Sequence, residues 1–464
     1  MKIIAGTLHS ILVGARPEIV DKLDKELAIM IPGVQYSPRF KLLKGKWDGK
    51  ARLFNKKSGK FPTGLLRKAL AITGAELEDH RFDGYEDVWE KAKADARDLR
   101  LLGTEDRDSQ RKAITNSVDE GRCTVLGATN FGKSEICCGL AASFNLPTLW
   151  LVNRKGLLKQ CADRWEERTG TKAGMVGDGE YSIGAIMTVG MVQTIHAMKD
   201  AKQFLSQFKV LLVDEAAHAS SFTWYDVCMA CPAPFRFALT GTAPKIRLRL
   251  YRMMAATDCT LGYKITNQEM IDLGYSAKPI MHIQPLNYHE NNFSYRLAYN
   301  SMIRFNKRYA SVVAEEAKAW YDKGKIILII VDRMAQGMHI SSELAGRGVR
   351  AKFINGGTDS EIREKVKAEF KKGITPVVIA TSIFDEGEDV PAINVLILAA
   401  GGKAEGRQLQ RVGRGLRKKD GENTVDIIDY VHNGNAYLLQ HSLERIDIYQ
   451  QQGFELSWRD AIKI

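Results

Sequence analysis

The chain has 464 residues, of which 45% are hydrophobic, 26% charged and 8% aromatic, a composition that excludes wholesale disorder. At roughly 100–200 residues per domain, this length favours about three domains. The 67 basic and 55 acidic residues give a formal net charge of +12, which favours a polyanionic partner such as nucleic acid. No apolar run approaches the roughly 20 residues of a membrane helix, and no signal-peptide core is evident. We therefore expect a soluble, cytoplasmic protein without a membrane partner.

Residues 1–95 predict a small basic α/β domain. Lys2–Val13 resembles a strand, and Pro17–Met30 resembles a helix with a proline at its start. A turn-rich stretch then leads to a further strand at Ala51–Phe54.

The charge changes sign within this first domain. Tyr36–Lys68 carries 11 basic residues and one acid, whereas Glu76–Asp95 carries eight acids and three bases. We interpret the basic part as a nucleic-acid surface and the acidic part as a boundary helix. The residues that we expect to contact nucleic acid here are Arg39, Lys46, Trp47, Lys50 and Arg52.

Four aromatic residues of the basic part have two open interpretations. Phe40, Trp47, Phe54 and Phe61 could form the core of the small domain, which is the more usual fate of such residues. They could also stack on unpaired bases.

From about residue 100, short apolar strands alternate with longer amphipathic stretches, which predicts an α/β fold with parallel sheets. The first set is Thr124–Leu126, Thr148–Val152, Ala185–Val189, Val210–Val213 and Phe237–Leu239. The second set is Ile326–Val331, Ala351–Ile354, Val377–Ala380, Val395–Leu398 and Val425–Ile428. Two sets indicate two lobes, at 96–262 and 263–440, joined within Gly262–Arg304 and followed by a helical tail at 441–464.

The first strand of lobe 1 leads into a phosphate-loop pattern. Gly127-Ala128-Thr129-Asn130-Phe131-Gly132-Lys133-Ser134 fits G-x-x-x-x-G-K-[ST] between the strand Cys123–Leu126 and the helix Glu135–Ala142. Glycines and helix N-terminal amides wrap a phosphate, Lys133 reaches the β- and γ-phosphates, and Ser134 can hold Mg²⁺. This predicts a nucleoside triphosphate site at residues 127–134.

Two further features of lobe 1 follow in the chain. Asp214 and Glu215 end the apolar strand Val210–Val213, where Asp214 can hold Mg²⁺ and Glu215 can polarise the attacking water. Cys228 and Cys231 form a C-x-x-C without a second pair. We interpret them as buried side chains rather than zinc ligands.

The second lobe contains Gln410, Gly413, Arg414 and Arg417 in a Q-x-x-G-R-x-x-R pattern. Arginines three apart lie near one helix face, and across a cleft they could stabilise the charge of a phosphoryl-transfer transition state. The alternative is a basic helix that faces solvent.

Together these patterns resemble the superfamily 2 helicases, which implies two RecA-like lobes, ATP and Mg²⁺. The resemblance assigns adenine reading to Gln110, ATP contacts to Gly387 and Asp389, DNA contacts to Arg154, Gln193 and Thr381, and coupling to Thr240 and Thr242. In the acidic box, Ala217 stands at the fourth position and His218 comes one residue late, so His218 is a candidate substitute in coupling.

The first domain resembles the amino-terminal segment of phage UvsW-type helicases, through Tyr36–Phe40, Lys46–Lys50, Arg52–Phe54 and Phe61–Leu65. This implies an ATP-dependent DNA helicase that moves 3′ to 5′ on forks and four-way junctions, in a host cytoplasm if phage-encoded. An RNA helicase, a restriction-system motor and an ATP-gated annealing protein stay open as alternatives. We expect a monomer.

Overall fold

The structure is a computed structural model, and it describes residues 1–43, 46–105, 107–288, 294–381, 393–402 and 423–464. The chain divides into two compact units. The first comprises Met1–Ala128 and Gly132–Ile265, and the second comprises Thr129–Phe131 and Thr266–Ile464.

The amino-terminal module of the first unit has a four-stranded sheet and a two-stranded ribbon. Its strands are β1 (Lys2–Ala5), β2 (His9–Val13), β3 (Ala28–Met30), β4 (Lys50–Arg52), β5 (Lys60–Pro62) and β6 (Glu76–Asp79). The sheet order is β5-β2-β1-β6, and β3 pairs with β4. Its helices are α1 (Pro17–Leu27), α2 (Pro38–Leu42), α3 (Leu66–Thr73) and α4 (Glu86–Asp98).

Three elements predicted for this module were wrong in detail. The acidic stretch Glu76–Asp95 is not one boundary helix, because Glu76–Asp79 pairs with β1 as a strand and α4 begins only at Glu86. Lys2–Val13 is a hairpin rather than one strand, because the chain reverses where Gly6 N–H donates to His9 O at 3.1 Å. The helix that begins at Pro17 ends at Leu27 rather than Met30, because Ala28–Met30 pairs with β4.

Lobe 1 in the same unit is built on a sheet that is parallel apart from one edge hairpin. Its strands are β7 (Arg122–Gly127), β8 (Thr148–Val152), β9 (Gly174–Gly177), β10 (Glu180–Tyr181), β11 (Met187–Met191), β12 (Val210–Asp214), β13 (Phe235–Thr240) and β14 (Leu261–Ile265). The order is β10-β9-β11-β8-β12-β13-β7-β14. Its helices are α5 (Asp108–Glu120), α6 (Lys133–Phe144), α7 (Lys155–Thr169), α8 (Val192–Ala197), α9 (Ala201–Leu205), α10 (Phe222–Ala230) and α11 (Arg247–Ala256).

The second unit contains a sheet whose described strands all run parallel. They are β15 (Lys278–Asn287), β16 (Ile327–Ile330), β17 (Ala351–Ile354), β18 (Val377–Ala380), β19 (Val395–Leu398), β20 (Thr424–Asn433), β21 (Glu455–Trp458) and β22 (Ile462–Lys463). The order is β17-β18-β16-β19-β20-β15-β21, with β22 also on β15. Its helices are α12 (Asn267–Asp272), α13 (Tyr295–Tyr299), α14 (Lys307–Tyr321), α15 (Met334–Gly346), α16 (Ser360–Lys371) and α17 (Ala436–Gln451).

The two largely parallel sheets confirm the predicted fold class of two RecA-like α/β lobes after a small α/β module. All ten strands predicted for the lobes are present, four with the predicted bounds and six with ends shifted by up to five residues. The predicted tail at 441–464 is not helical throughout, because β21 and β22 lie within it and pair with β15. The segment Gly262–Arg304 is more than a connection, because it includes most of β14 and all of β15, which pairs with β20 along its whole length.

The amino-terminal module is joined to lobe 1 by buried contacts. Ala255 of α11 belongs to the module's apolar core. A methyl group on Gly64 would lie 2.0 Å from Met254 O, so only glycine allows this approach. Cys259 N–H donates to Gly64 O at 2.9 Å. The module and lobe 1 therefore pack as closely as parts of one domain.

Buried charges strengthen this junction. Arg122, at the start of β7, is 2% exposed and donates to Thr7 O at 2.7 Å. Its Nε lies 3.5 Å from an Asp258 carboxylate oxygen, and burial and then the charge of Arg236 lower the pKa of Arg122 to about 9. Arg236 donates to four backbone carbonyls, including Ala256 O at 2.7 Å. Removing one partner from a buried ion pair costs about 3–5 kcal/mol, so lobe 1 tolerates little change where Arg122 meets Thr7 of the module.

Candidate active site

Three of the sequence motifs lie at the ends of three neighbouring parallel strands. The phosphate loop follows β7, Thr240 ends β13, and Asp214 ends β12. Because β13 pairs with both β7 and β12, it separates the acidic strand from the loop and carries Thr240 between them. Carboxyl ends of parallel strands form the ligand-binding edge of such sheets, so the site is assembled there.

The phosphate loop has the backbone geometry that the pattern requires. Asn130 and Gly132 have positive φ angles of 67° and 83°, and α6 begins at Lys133. Ala128 N–H donates to Ile265 O at 3.2 Å, which ties the start of the loop to β14. Amides of such a loop and of a helix N-terminus attract phosphate. The described loop thus has the backbone that phosphate binding requires, and the contacts of residues 127–134 with phosphate stay a prediction.

Gln110 on α5 lies directly against this loop. It is 7% exposed, and a methyl group on Gly132 would lie 2.2 Å from Gln110 Nε2. A cavity of about 180 Å³ adjoins it, lined by Leu99, Leu101, Thr104, Arg107, Gln110, Arg111, Ile114 and Glu135, among others. Ligand pockets generally combine apolar lining with a few polar groups, as this partly open cavity does, and the adenine contact of Gln110 stays a prediction.

A charged group that no sequence motif indicated, Glu135, also lines this cavity. Glu135, in the first turn of α6, accepts hydrogen bonds from Arg164 at 2.8 Å and from Arg168 at 2.6 and 3.1 Å. All three side chains come from the helices α6 and α7. No motif spans the 29 and 33 residues between these partners, so no sequence pattern reveals the cluster.

The backbone at Asp214 and Glu215 has an unusual conformation. Glu215 has φ 49° and ψ 50°, a left-handed conformation that is strained for a residue other than glycine. This turn lets Glu215 N–H donate to Asp214 Oδ1 at 2.9 Å. Burial and then the Glu215 charge raise the pKa of Asp214 to about 6, whereas the Lys133 ammonium lowers it. A cation at the site therefore favours the charged form of Asp214.

The residues present fit a magnesium ion. Asp214 and Ser134 offer the hard oxygen ligands that Mg²⁺ prefers. In the described ranges, no cluster of three or more His, Cys, Asp or Glu residues could hold a metal. One carboxylate and one hydroxyl agree with a Mg²⁺ site completed by substrate phosphates and water.

Thr240 and Thr242 form a tight turn at the end of β13. Thr240 Oγ1 lies 3.0 Å from Thr242 O and accepts a weak bond from Thr242 N–H at 3.4 Å. The intervening Gly241 is close to the nucleotide residues, because a methyl group there would lie 4.0 Å from Lys133 Nζ. The turn therefore lies beside Lys133, and the role of Thr240 and Thr242 in coupling stays a prediction.

His218 lies in the short 3₁₀ helix Ala216–Ser220. Its ring lies nearly parallel to Trp224, with centroids 6.2 Å apart, so it packs toward α10. Its role in coupling stays a prediction.

Two predicted DNA contacts of lobe 1 come together at the same strand edge. Arg154 is exposed just before α7, and Gln193 is exposed at the start of α8. They follow the paired strands β8 and β11, and Gln193 Nε2 donates to Asn153 O at 3.2 Å. In the second unit, Thr381 follows β18 but is only 9% exposed, so its access to a strand is limited.

The predicted DNA contacts of the amino-terminal module differ in whether their side chains are already bonded to other residues of the protein. Lys46 is exposed, whereas Arg52 makes a bidentate ion pair with Asp48 at 3.0 and 2.7 Å. Trp47 Nε1 donates to Lys50 O at 3.0 Å. The structure does not describe the side chain of Arg39.

The four aromatic residues of the basic part fall into two groups, one buried and one half-buried. Phe54 and Phe61 are 4% and 1% exposed in the module's core, so base stacking is excluded for both. Phe40 and Trp47 are half-buried and meet edge to face at 6.0 Å.

Three further predictions concern the motifs of the second lobe, the cysteine pair and membrane helices. Gly387, Asp389, Gln410, Arg414 and Arg417 lie outside the described residues. Cys228 and Cys231 are buried, and both of their backbone carbonyls accept from Arg236, which agrees with a packing role. Within the described part of the chain, no helix is long and apolar enough to cross a membrane.

Two family models match the chain and together cover more than half of it. The model for the res subunit of type III restriction enzymes matches residues 103–245. The model for the helicase conserved C-terminal domain matches residues 312–419.

Known proteins with similar sequences or folds include a DNA translocase and a restriction-enzyme subunit. The DNA 3′-5′ translocase XPB2 of Sulfurisphaera tokodaii is 25% identical over 371 residues, which cover 71% of this chain and 82% of that protein. A putative HsdR subunit of a type I restriction enzyme from Vibrio vulnificus aligns over 89% of this chain and 75% of its own, with 16% identity and a TM-score of 0.59. T4 UvsW aligns over both whole chains at 19% identity, with a TM-score of 0.47, too low to establish a shared fold by itself.

Proposed function

Because the chain belongs to the superfamily 2 helicases, we propose that it is an ATP-dependent DNA helicase or translocase that remodels branched DNA. The observation that carries the ATP-dependent part is the meeting of Lys133, Asp214 and the Thr240 turn at one strand edge. Forks and four-way junctions are the proposed substrates, in recombination, repair and replication.

The chain's own residues have the following roles at the ATP site. The loop amides and Lys133 bind the phosphates, Gln110 reads the adenine, and Glu215 orients the attacking water. Asp214 and Ser134 would hold Mg²⁺, which neutralises charge on the phosphates when bound. Outside the described residues, Arg414 and Arg417 are proposed to stabilise the transition state and Gln410, Gly387 and Asp389 to complete the site.

The DNA strand is proposed to cross the exposed residues at the ends of β8 and β11. Arg154 would neutralise a phosphate and Gln193 would hydrogen-bond to the backbone, which positions a strand without reading its sequence. Thr381 is the proposed contact from the second unit, and its low exposure limits that contact to the small surface that its side chain presents. The similar Sulfurisphaera protein is a DNA 3′-5′ translocase, which supports DNA as the substrate and 3′-to-5′ polarity.

Movement along DNA requires that the affinity of the protein for DNA differ between its nucleotide states. The Thr240–Thr242 turn lies beside Lys133, and only four residues separate it from the start of α11. It is therefore the proposed route by which hydrolysis changes the DNA-binding surface.

The test is ATP turnover and strand separation on matched substrates. Purified protein is assayed with single-stranded DNA, a fork, a four-way junction and an RNA hybrid, with ATP or a non-hydrolysable analogue. We expect DNA to stimulate turnover, and junctions to be processed only with ATP. RNA-restricted stimulation would support an RNA helicase instead, and annealing that is unchanged with the analogue would remove the motor function.

A further inference from the structure

A basic groove lies where the amino-terminal module meets lobe 1, apart from the residues proposed above for ATP and for strand contact on lobe 1. The groove is open, with a volume of about 790 Å³. Four cationic side chains and one carboxylate line it: Arg52, Lys56, Lys57, Lys60 and Asp24. Tyr225 of α10 also lines it, so the groove includes lobe 1 as well as the module.

Two of its lysines stand on a turn with a well-defined backbone. Asn55 Oδ1 accepts the N–H groups of Lys57 at 3.0 Å and Ser58 at 3.2 Å, and Gly59 N–H donates to Asn55 O at 2.8 Å. Gly59 has φ +67°, and a methyl group there would lie 2.4 Å from Leu12 O. Because the turn is held by these contacts, its lysines lose little backbone entropy when they bind a ligand.

The positive charge of this groove is only partly neutralised within the protein. Lys56 lies 2.7 Å from Asp21 and 3.5 Å from Asp24, an exposed arrangement that contributes little stability. Lys57 and Lys60 make no ion pair with any described residue. Burial and then the charges of Lys60 and Arg236 lower the pKa of His9 beside them. The groove therefore has cations available for an anionic ligand.

The aromatic residues of the groove are unsuited to stacking on bases. Phe54 and Phe61 lie under it in the core, and Tyr225 is half-buried with its phenol packed between the module and lobe 1. Single-stranded nucleic acid is generally bound by stacking its bases on exposed aromatic faces. A duplex presents only phosphates to a surface of this kind.

We propose that this groove binds the phosphate backbone of a duplex DNA arm through Lys56, Lys57 and Lys60. This site deepens the proposed function and rests on DNA being the partner. Since the module is joined to lobe 1 by buried contacts, a duplex bound here moves with lobe 1. The groove is then an anchor for the double-stranded part of a branched substrate.

The test compares two pairs of exposed lysines in the same module. Lys57→Ser/Lys60→Ser removes two groove charges. Lys22→Ser/Lys25→Ser removes two charges from α1 and is the matched control, because these lysines also lack an ion pair among the described residues and do not line the groove. Binding to a blunt 20-base-pair duplex and to a dT oligonucleotide is measured by fluorescence anisotropy without nucleotide, over a range of salt.

We expect the groove variant to bind the duplex about tenfold more weakly at low salt, with a salt slope smaller by about 2, since each lost phosphate contact lowers it by about 0.9. Affinity for dT and dT-stimulated ATP turnover should change less than about twofold, and Lys57→Arg/Lys60→Arg should restore duplex binding. Equal losses on duplex and dT, or a duplex loss no larger than in the control, would overturn the proposal. A wild-type protein without ATP turnover would instead refute the proposed motor and leave this binding comparison intact.

Discussion

The ATP edge of lobe 1 and the amino-terminal module differ in how well sequence patterns predict where side chains lie and whether they are exposed. At the ATP edge, Gln110, Lys133 and Asp214 lie together as their motifs predict. In the module, two of four candidate stacking aromatics are core, and Arg52 is engaged by Asp48. A motif that specifies backbone geometry predicts where its residues lie. The exposure of a lysine or phenylalanine instead depends on which residues pack over it.

The largest effect is expected from Lys133→Ala, which tests the ATP edge directly. Without the ammonium near the phosphates, ATP turnover should fall about a thousandfold or more, because this charge stabilises the transferring phosphoryl group. Phosphate release with saturating single-stranded DNA measures it. Lys159→Ala, an exposed lysine on α7, is the control and should keep normal turnover. Persistent turnover in Lys133→Ala would remove the site assignment.

The next effect is expected from Phe61→Ala, which tests the core assignment in the module. Losing a ring that is 1% exposed should lower the free energy of unfolding by about 3–5 kcal/mol. The first transition in urea, followed by circular dichroism, measures this loss. Phe222→Ala, which is 73% exposed, should cost less than about 1 kcal/mol. If the two substitutions cost the same, Phe61 is not a core residue.

A smaller effect is expected from Gly132→Ala, which sharpens the placement of Gln110. The new methyl group would lie 2.2 Å from Gln110 Nε2 at a φ of +83°, so the loop or the amide must move. We expect the KM for ATP to rise about tenfold, or about 1.4 kcal/mol. Gly156→Ala on α7, where nothing lies within 4 Å, should leave the KM unchanged. An unchanged KM in Gly132→Ala would argue against Gln110 as an adenine contact.

The smallest effect is expected from Trp47→Ala, which tests the remaining stacking candidate. Its ring already meets Phe40 and its indole N–H is bonded to Lys50 O, so we expect only about a fivefold loss of affinity for single-stranded DNA. This corresponds to the lower end of the 1–3 kcal/mol per stacked base. Anisotropy with a dT oligonucleotide measures it. Tyr36→Ala, an aromatic residue that is 78% exposed in the same module, is the comparison. If the Tyr36 loss is the larger, Trp47 is structural.

Point substitutions test the module better than its removal does. Deleting residues 1–95 would uncover Ala255 and take away Thr7, a hydrogen-bond partner of buried Arg122. An exposed core and an unsatisfied buried guanidinium would destabilise lobe 1 itself. Loss of function after such a deletion would therefore not report on DNA binding alone.

The sequence by itself determined the two α/β lobes and the order of their central strands along the chain. It also determined the phosphate loop and the acidic pair. Buried runs such as Val210–Val213 and a glycine-rich loop before a helix are local signals, because a few consecutive residues carry both the apolar burial and the backbone freedom. Short edge strands such as β9 and β10 lack those runs and were not predicted.

Only the tertiary structure decided how partners far apart in the chain meet. It placed β13 between the acidic strand and the loop, and set Glu135 against Arg164 and Arg168. It also joined the module to lobe 1 through the hydrogen bond from Arg122 to Thr7 O. The physical reason is that burial and ion pairing depend on which surfaces face each other, and that is a property of the packed chain rather than of any local pattern.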